Sequence, residues 1–336
     1  MIFKKFLKFI SLIIFLSLPI YLESKESDII VLMYHRFDEK KYPSTSISND
    51  LFNSHIQFLI KKKIPVLPLT DLPNYLNSKN NLPKKSVFIT IDDAYKSFYH
   101  KGFPILKKNK LPFSVFVSSD YVSDDKNSDY MSWEMLKEIS KNSGLILNHS
   151  KSHKSLLEIN NEELIEEVLE NQKIIEKQLG VQPKIFSYPF GESNINIEKI
   201  LESLDYKVAF SQHSAPLSKN ENKYRLPRFS LNDEFGEIER FKLILKSKSL
   251  NITENSYKNT IVQSNSFIFS FKSELPSKMI NCFINNSATL EKKNIGYKVK
   301  LIIDNLKKGK RYRINCTSVD EKGNIFWFGK MLKRVI

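Results

Sequence analysis

The sequence predicts an α/β fold, in which a β/α barrel is followed by a small all-β sandwich domain. Between residues 29 and 231, short apolar segments alternate with helical patterns about eight times. Continuous apolar strands joined by helices are typical of a parallel sheet buried on both faces, and so many repeats favour a barrel. From about residue 252 the helical patterns stop, and strands follow one another across turns, as in a sandwich.

The barrel is expected over residues 28–248 and the sandwich over residues 252–336. The clearest helix covers residues 160–179, because Asn160 can cap it, Glu163 follows three residues later and Gly180 ends it. Further helices are expected at residues 50–62, in the segment up to residue 108, at 132–142 and at 196–204. The predicted barrel strands are residues 29–35, 64–69, 86–91, 111–119, 144–150, 184–191, 206–213 and 224–231.

Residues 1–27 have the layout of a signal peptide or an N-terminal anchor. Three lysines precede an apolar stretch from Phe9 to Leu22, and polar residues follow. This stretch is shorter than the ~20 residues that a spanning helix needs. We therefore expect export, with the protein periplasmic, secreted or associated with the membrane through this segment.

The net charge of +15 permits binding to nucleic acid, anionic lipid or anionic polysaccharide. The lysines are scattered and the sequence has no basic helix with interleaved aromatic residues, so no nucleic-acid partner is expected. The chain has two cysteines, Cys282 and Cys316, in different predicted strands of the sandwich. In an oxidising compartment the pair can form a disulfide that cross-links the sandwich, and two separate buried thiols are the alternative.

Chemically active side chains collect where predicted strands end. Asp92 and Asp93 follow one strand, His149 ends another, and His153 comes four residues later. In a β/α barrel the active site lies at the carboxyl ends of the strands, so these side chains are expected to meet. If a helical turn begins at His149, both imidazoles face one way and, with a carboxylate, can bind Zn²⁺ or another first-row metal ion.

The adjacent aspartates also need an electrostatic explanation. Like charges this close raise each other's pKa unless a cation lies beside them. Asp93 or Asp92 can bind the ion, and the other can remain a free carboxylate that takes a proton from water. The alternative is that both aspartates lie in water at the end of a strand.

Three segments resemble the motifs of a known family. The stretches "TIDDAY", "NHSKSH" and "FSYPFGESN", in this order, resemble those of the polysaccharide deacetylases of carbohydrate esterase family 4, which contain the NodB-homology domain. The stretch "LMYHRF" is similar to members of the same family, and the resemblance covers roughly residues 28–245. It implies a distorted, NodB-like β/α barrel that uses one divalent metal ion, with zinc expected, to remove acetyl groups from N-acetylated sugars.

The resemblance also implies roles for single residues. Asp92 would be the general base, and Asp93, His149 and His153 would bind the metal ion. The backbone N–H of Phe190 would stabilise the oxyanion.

Other roles are less direct. His213 would be the general acid, as the one histidine downstream of these motifs, although the aspartate-x-x-tryptophan motif that accompanies this acid in many members is missing. Many members carry an arginine where this chain has Ser187, and Arg228 is the expected replacement that orients the catalytic aspartate. His35 and Tyr188, also at strand ends, are expected to contact substrate.

The predicted function is therefore metal-dependent removal of acetyl groups, chiefly N-acetyl, from an envelope or extracellular polysaccharide. The substrate would be a polymer or oligomer of acetylated amino sugars. One alternative is a non-catalytic envelope protein that binds glycan. Another is a glycosidase, which would need two carboxyl groups about 5–10 Å apart across the scissile bond.

Overall fold

The computed structural model describes residues 29–77, 81–253 and 260–335. The predicted signal peptide or anchor, residues 1–27, lies outside these ranges. Within them, no helix combines the length and the apolar character that crossing a bilayer requires.

The chain begins with alternating strands and helices and ends with strands alone. The helices are α1 (Asn49–Lys61), α2 (Leu72–Leu76), α3 (Phe103–Lys108), α4 (Trp133–Lys141), α5 (Asn161–Leu179), α6 (Ile195–Ser203) and α7 (Ile238–Lys246). The first nine strands are β1 (Ile30–Tyr34), β2 (Arg36–Phe37), β3 (Ser46–Ile47), β4 (Val87–Asp92), β5 (Phe113–Val117), β6 (Gly144–Asn148), β7 (Ile185–Ser187), β8 (Val208–Phe210) and β9 (Phe229–Ser230). The remaining strands are β10 (Ser247–Ser249), β11 (Ile252–Thr253), β12 (Ile261–Val262), β13 (Phe267–Ser273), β14 (Asn281–Ile284), β15 (Thr289–Ile295), β16 (Lys298–Asp304), β17 (Arg311–Val319) and β18 (Ile325–Arg334).

Seven parallel strands form one sheet in the order β8-β7-β6-β5-β4-β1-β9. Its strands alternate between two apolar cores: Leu32 and Ile89 pack with the helices on one face, whereas Val31 and Phe88 pack on the other. Burial on both faces explains why the strands read as continuous apolar runs. The sheet ends at β8 and β9, which makes it an incomplete barrel and confirms the predicted distorted β/α barrel.

One predicted strand of the barrel is absent from the sheet. Residues 64–69 contribute a single parallel bridge, between Val66 and Val87, and then enter a short 3₁₀ turn. Pro65 and Pro68 explain the difference, because proline has no backbone N–H to donate to a neighbouring strand.

The predicted helix over residues 160–179 is confirmed as α5. The Asn160 side chain accepts a hydrogen bond from the Glu163 backbone N–H, and the Glu163 carboxylate accepts one from the Asn160 N–H. Gly180 ends the helix with a φ of 69°, a conformation that glycine adopts without steric cost.

The C-terminal strands form two further sheets around an apolar core of their own. One has the order β11-β13-β16-β15, and the other the order β10-β18-β17-β14, with β12 beside β18. Cys282 and Cys316 form a disulfide, but they lie directly opposite each other on the neighbouring strands β14 and β17. The disulfide predicted between two different strands is thus present, and both strands belong to the same sheet.

Strands β17 and β18 pack against the barrel. The Trp327 ring lies 5.0 Å from the Phe229 ring, between centroids, and Lys333 forms an ion pair with Glu192 at 2.8 Å. Arg313 donates hydrogen bonds to the backbone and side-chain oxygens of Gln212. These contacts place the C-terminal sheet beside the carboxyl ends of the barrel strands.

Candidate metal centre and active site

Asp92 is the last residue of β4 and is fully buried. Its two carboxylate oxygens each accept a hydrogen bond of 2.7 Å from the Arg228 guanidinium, which is also fully buried. Arg228 is held in turn by the Ser187 hydroxyl at 2.8 Å and the Ser211 carbonyl at 3.2 Å. A planar guanidinium with two parallel hydrogen bonds fixes both the position and the plane of the carboxylate.

The arginine also determines the charge of Asp92. Burial alone would raise the pKa of this carboxyl, but the positive charge of Arg228 more than offsets the effect and lowers the pKa below its ordinary value. Asp92 is therefore a buried carboxylate that stays ionised. This geometry agrees with the prediction that Arg228 orients Asp92 in a chain that has a serine, Ser187, where many members of the resembled family have an arginine.

Asp93 turns the chain out of the strand and faces two histidines. Its φ is 72°, and Ala94 follows with a φ of 53°. Asp93 Oδ1 lies 3.3 Å from His149 Nε2 and 3.2 Å from His153 Nε2. Burial would raise the pKa of Asp93, but the two rings hold it well below its ordinary value.

The residues present fit a divalent metal ion. One ligand atom each from Asp93, His149 and His153 lies within 4.8 Å of the others. His149 Nδ1–H donates to the Ser187 carbonyl at 2.7 Å, which leaves the lone pair of Nε2 directed into the site. One carboxylate and two imidazoles are a donor set that zinc and other first-row metals accept.

No helical turn joins the two histidines. Residues 149–153 form a loop, in which Ser150 and His153 have left-handed φ values of 63° and 55°. The loop is held by Glu167 on α5, which accepts hydrogen bonds from the Ser152 backbone N–H and hydroxyl. The rings converge because this loop folds back, with their centroids 4.8 Å apart.

Phe190 lies in a single 3₁₀ turn after β7, with a φ of 60°. As a residue of the first turn its backbone N–H has no acceptor within the turn, and its ring packs edge-on against His153, with centroids 4.7 Å apart. The structure does not bring Tyr188 to the site. Its ring is fully buried among other side chains, and its hydroxyl donates to the Tyr224 carbonyl at 2.9 Å. The predicted substrate contact by this side chain is wrong.

Two histidines differ sharply in placement. His35 lines the same cleft as Asp93 and His153. Burial lowers the pKa of His35, although the Asp93 and Asp92 carboxylates oppose the shift. His35 therefore lies near the Asp92 and Asp93 carboxylates and His153.

His213, the predicted general acid, lines a separate cavity of about 530 Å³ beside Glu221. Burial and the neighbouring positive charges of Arg225, Lys330 and Arg313 lower the pKa of His213 to about 3. The structure thus does not bring His213 to the metal ligands. Its position at the end of a strand was predicted, but its side chain faces the second cavity, whereas the neighbouring Gln212 and Ser214 line the active-site cleft.

The cleft has a volume of about 950 Å³ and extends beyond the barrel. Tyr95 lies on its wall, and burial raises the pKa of the Tyr95 phenol, with the Asp93 charge adding to the effect. Arg36 lies over the Tyr95 ring at 3.5 Å from its centroid. Neither Arg36 nor the cleft residues of the C-terminal strands were predicted as site residues from the sequence.

Comparison with known proteins agrees with this geometry. Residues 79–209 match the sequence profile of a family described as Polysaccharide deacetylase. Over these residues the chain is similar to that family. The matched segment spans β4 with its aspartate pair, the histidine loop and the Phe190 turn, so it includes Asp93, His149 and His153.

Individual proteins and solved structures are also similar to this chain. The chain is 28% identical over 242 residues to the poly-beta-1,6-N-acetyl-D-glucosamine N-deacetylase of Staphylococcus aureus (strain MSSA476), an alignment that covers 64% of this chain and 83% of the relative. The Streptococcus pyogenes deacetylase PplD, solved with acetate, superimposes with a TM-score of 0.60 at 21% identity, over 66% of this chain and 99% of that one. IcaB from Ammonifex degensii gives a TM-score of 0.57 at 24% identity, over 65% and 97%. These two structures show that the fold is shared.

Proposed function

We propose that this protein is a metal-dependent deacetylase that hydrolyses N-acetyl groups on an exported polysaccharide of acetylated amino sugars. The observation that carries the proposal is a buried carboxylate, fixed by Arg228, directly beside a carboxylate and two histidines that converge on one point. The Staphylococcus aureus relative makes a polymer of N-acetylglucosamine the first substrate to test. Export rests on the pattern of residues 1–27, and zinc rests on the donor set.

A bound divalent ion would polarise the acetyl carbonyl and lower the pKa of a water molecule. Asp93, His149 and His153 would hold that ion. Asp92 would take the proton of the attacking water, because it is ionised and each of its oxygens retains a lone pair beyond the one used by Arg228. Arg228 is a positioning residue, since it acts through the carboxylate.

His35 would donate the proton to the leaving amine. It lines the same cleft as the metal ligands and is buried, with only 8% of its surface exposed. His213, the acid expected from the sequence, has less support because it lies in a different cavity and is held neutral there. Both imidazoles are of the right chemical type, so their positions decide between them.

The Phe190 N–H would stabilise the negative charge on the oxygen of the tetrahedral intermediate. Its turn places it beside His153, and the left-handed backbone at Phe190 is a conformation that a non-glycine residue adopts only where the surrounding structure requires it.

The glycosidase alternative has less support. The other carboxylate of this cluster, Asp93, is adjacent to Asp92 in the chain and faces His149 and His153, so within the cluster no second carboxyl lies across a substrate-sized gap from Asp92. The non-catalytic alternative would also leave the fixed, ionised Asp92 unexplained.

The test is acetate release by the full chain from N-acetylglucosamine oligomers, peptidoglycan and O-acetylated xylan, with metal removed and then restored. Asp92→Asn and His149→Ala should lose activity, and His100→Ala, at an exposed histidine on the barrel surface, should keep it. Activity that needs metal and both residues supports the proposal, and the preferred glycan identifies the substrate class. Absence of acetate from every glycan, with one metal ion bound per chain, would favour the non-catalytic glycan-binding alternative.

A further inference from the structure

The active-site cleft has a second wall that the barrel does not supply. Residues 283–286, 309–311, 313, 315 and 327 line it, and we name them the C-terminal wall. They belong to β14, β17, β18 and the segments next to these strands, all beyond residue 209, where the family profile ends. The wall shares one continuous cleft with Asp93 and His153, so a polymer bound at the metal ligands would meet it.

The C-terminal wall is cationic. It contains Lys310, Arg311 and Arg313, and none of its residues is acidic. Across the cleft the barrel contributes the carboxylates of Asp93 and Glu234 and the guanidinium of Arg240, so its side chains supply no surplus of positive charge. The surplus positive charge of the cleft therefore comes from the C-terminal wall.

Arg311 keeps most of its charge free to act on a ligand. Its guanidinium lies 4.7 Å from the centroid of the Phe190 ring, which places it near the reacting group. The nearest carboxylate, Glu192, is 3.8 Å away but already forms a closer ion pair, of 2.8 Å, with Lys333. About a third of the Arg311 side chain is exposed. Glu192 thus compensates for Lys333 first and for Arg311 only weakly.

Arg313 is not neutralised by its partner. It donates to Gln212 Oε1 at 3.1 Å and to the Gln212 carbonyl at 3.0 Å, and both acceptors are uncharged. Burial lowers the pKa of Arg313, and the charge of Arg311 adds to the effect, which shows how close the two cations lie. Phe283, 63% exposed beside them, offers an apolar surface to a sugar ring.

The proposed reaction changes the charge of its own substrate. Water cleaves the amide C–N bond, so that acetate leaves and the sugar keeps an amine, which takes up a proton at neutral pH. A neutral sugar unit has become a cation. Coulomb repulsion between exposed charges is screened over about 10 Å at 0.1 M salt, so only the units next to the reacting one would sense the C-terminal wall.

We propose that the C-terminal wall is the subsite for the sugar unit next to the reacting one, and that its cations favour an acetylated, uncharged neighbour over a deacetylated, cationic one. The inference rests on the proposed function and adds a selection rule to it. The enzyme would avoid units beside a free amine and would leave deacetylated units spaced along the polymer.

The test compares two N-acetylglucosamine pentamers, one fully acetylated and one with a single free amine next to the central unit. Both kcat/KM and the calorimetric Kd are measured for the full chain and for the double variant Lys310→Gln, Arg311→Gln. Lys298→Gln is the matched control, because Lys298 is exposed on β16 of the other C-terminal sheet, outside the cleft. Thermal unfolding is recorded for each variant to show that it is folded.

The wild-type chain should prefer the fully acetylated pentamer, and the double variant should reduce that preference by about 3- to 10-fold. Lys298→Gln should leave it unchanged, and 0.5 M salt should weaken it. Equal preference in the wild-type chain, or an equal loss on both pentamers in the double variant, would overturn the inference. Binding is measured without catalysis, so a preference in Kd without any acetate release would support the subsite while refuting the proposed function.

Discussion

Replacement of Arg228 by methionine tests whether this arginine keeps Asp92 ionised. Both side chains are fully buried, and their two hydrogen bonds are each 2.7 Å long. Removal of one partner from such a pair leaves an unpaired buried charge and costs about 3–5 kcal/mol of unfolding free energy. Without the guanidinium, burial would raise the pKa of Asp92, opposed by the charges of His149 and His35.

The acid limb of kcat/KM in Arg228→Met should therefore move to higher pH, because the pKa of Asp92 rises. The contribution of Asp92 to the free energy of unfolding should depend on pH in opposite directions in the wild-type chain and in Arg228→Met. In the wild-type chain the lowered pKa of Asp92 contributes unfolding free energy above about pH 4, which is lost as the pH falls through the folded-state pKa. In the variant the folded-state pKa is raised, so its contribution is present at acid pH and is lost as the pH rises.

The assays are a pH profile of acetate release and urea unfolding at several pH values. Arg225→Met is the control, because Arg225 forms a largely buried ion pair with Glu198 far from Asp92 in sequence and outside the active-site cleft. It should lose stability without moving the acid limb. Arg228→Lys keeps the charge without the two parallel hydrogen bonds and should give a smaller shift. An unchanged acid limb in Arg228→Met, or the same shift in both methionine variants, would refute the reasoning.

Three further predictions concern the acid, the metal ion and the disulfide. His35→Gln should lower kcat by roughly 10²- to 10⁴-fold while His213→Gln changes it by no more than a few-fold, and the reverse order in steady-state kinetics would restore His213 as the acid. A chelator should abolish acetate release and stoichiometric Zn²⁺ should restore it, whereas full activity at undetectable metal content would contradict the metal site. The Cys282–Cys316 disulfide closes a loop across a sequence separation of 34 in the unfolded chain, so replacement of both cysteines by serine should lower the free energy of unfolding by about 3–4 kcal/mol. An unchanged urea midpoint would contradict this prediction.

Much of the fold was predictable because its signals are local. Apolar runs of the right length predicted the parallel strands, and the cap residues Asn160 and Gly180 predicted both ends of α5. Residues 64–69 are apolar enough to be predicted as a strand, but their two prolines limit them to a single bridge. The disulfide partners were evident from a count of two cysteines, but their register on adjacent strands was not.

The residues of the candidate metal site were also named from the sequence. The aspartate pair and His149 follow apolar strands and His153 comes four residues later, whereas the family resemblance selected Asp93 over Asp92. The loop that joins the two histidines was not predicted, because left-handed backbone at Ser150 and His153 depends on contacts with α5 that are distant in sequence.

The sequence by itself determined the type of fold, the aspartate pair and the two histidines of the candidate metal site, because periodicity and strand-end position follow from neighbours along the chain. Only the tertiary structure decided which histidine faces the site, because one residue of shift at a strand end moves a side chain from one cavity to another. It also supplied the two hydrogen bonds by which Arg228 holds Asp92 across 136 positions of sequence, and it alone showed the cationic wall that the C-terminal strands add to the cleft. Contacts of this kind depend on how distant segments pack, and no local pattern of residues records them.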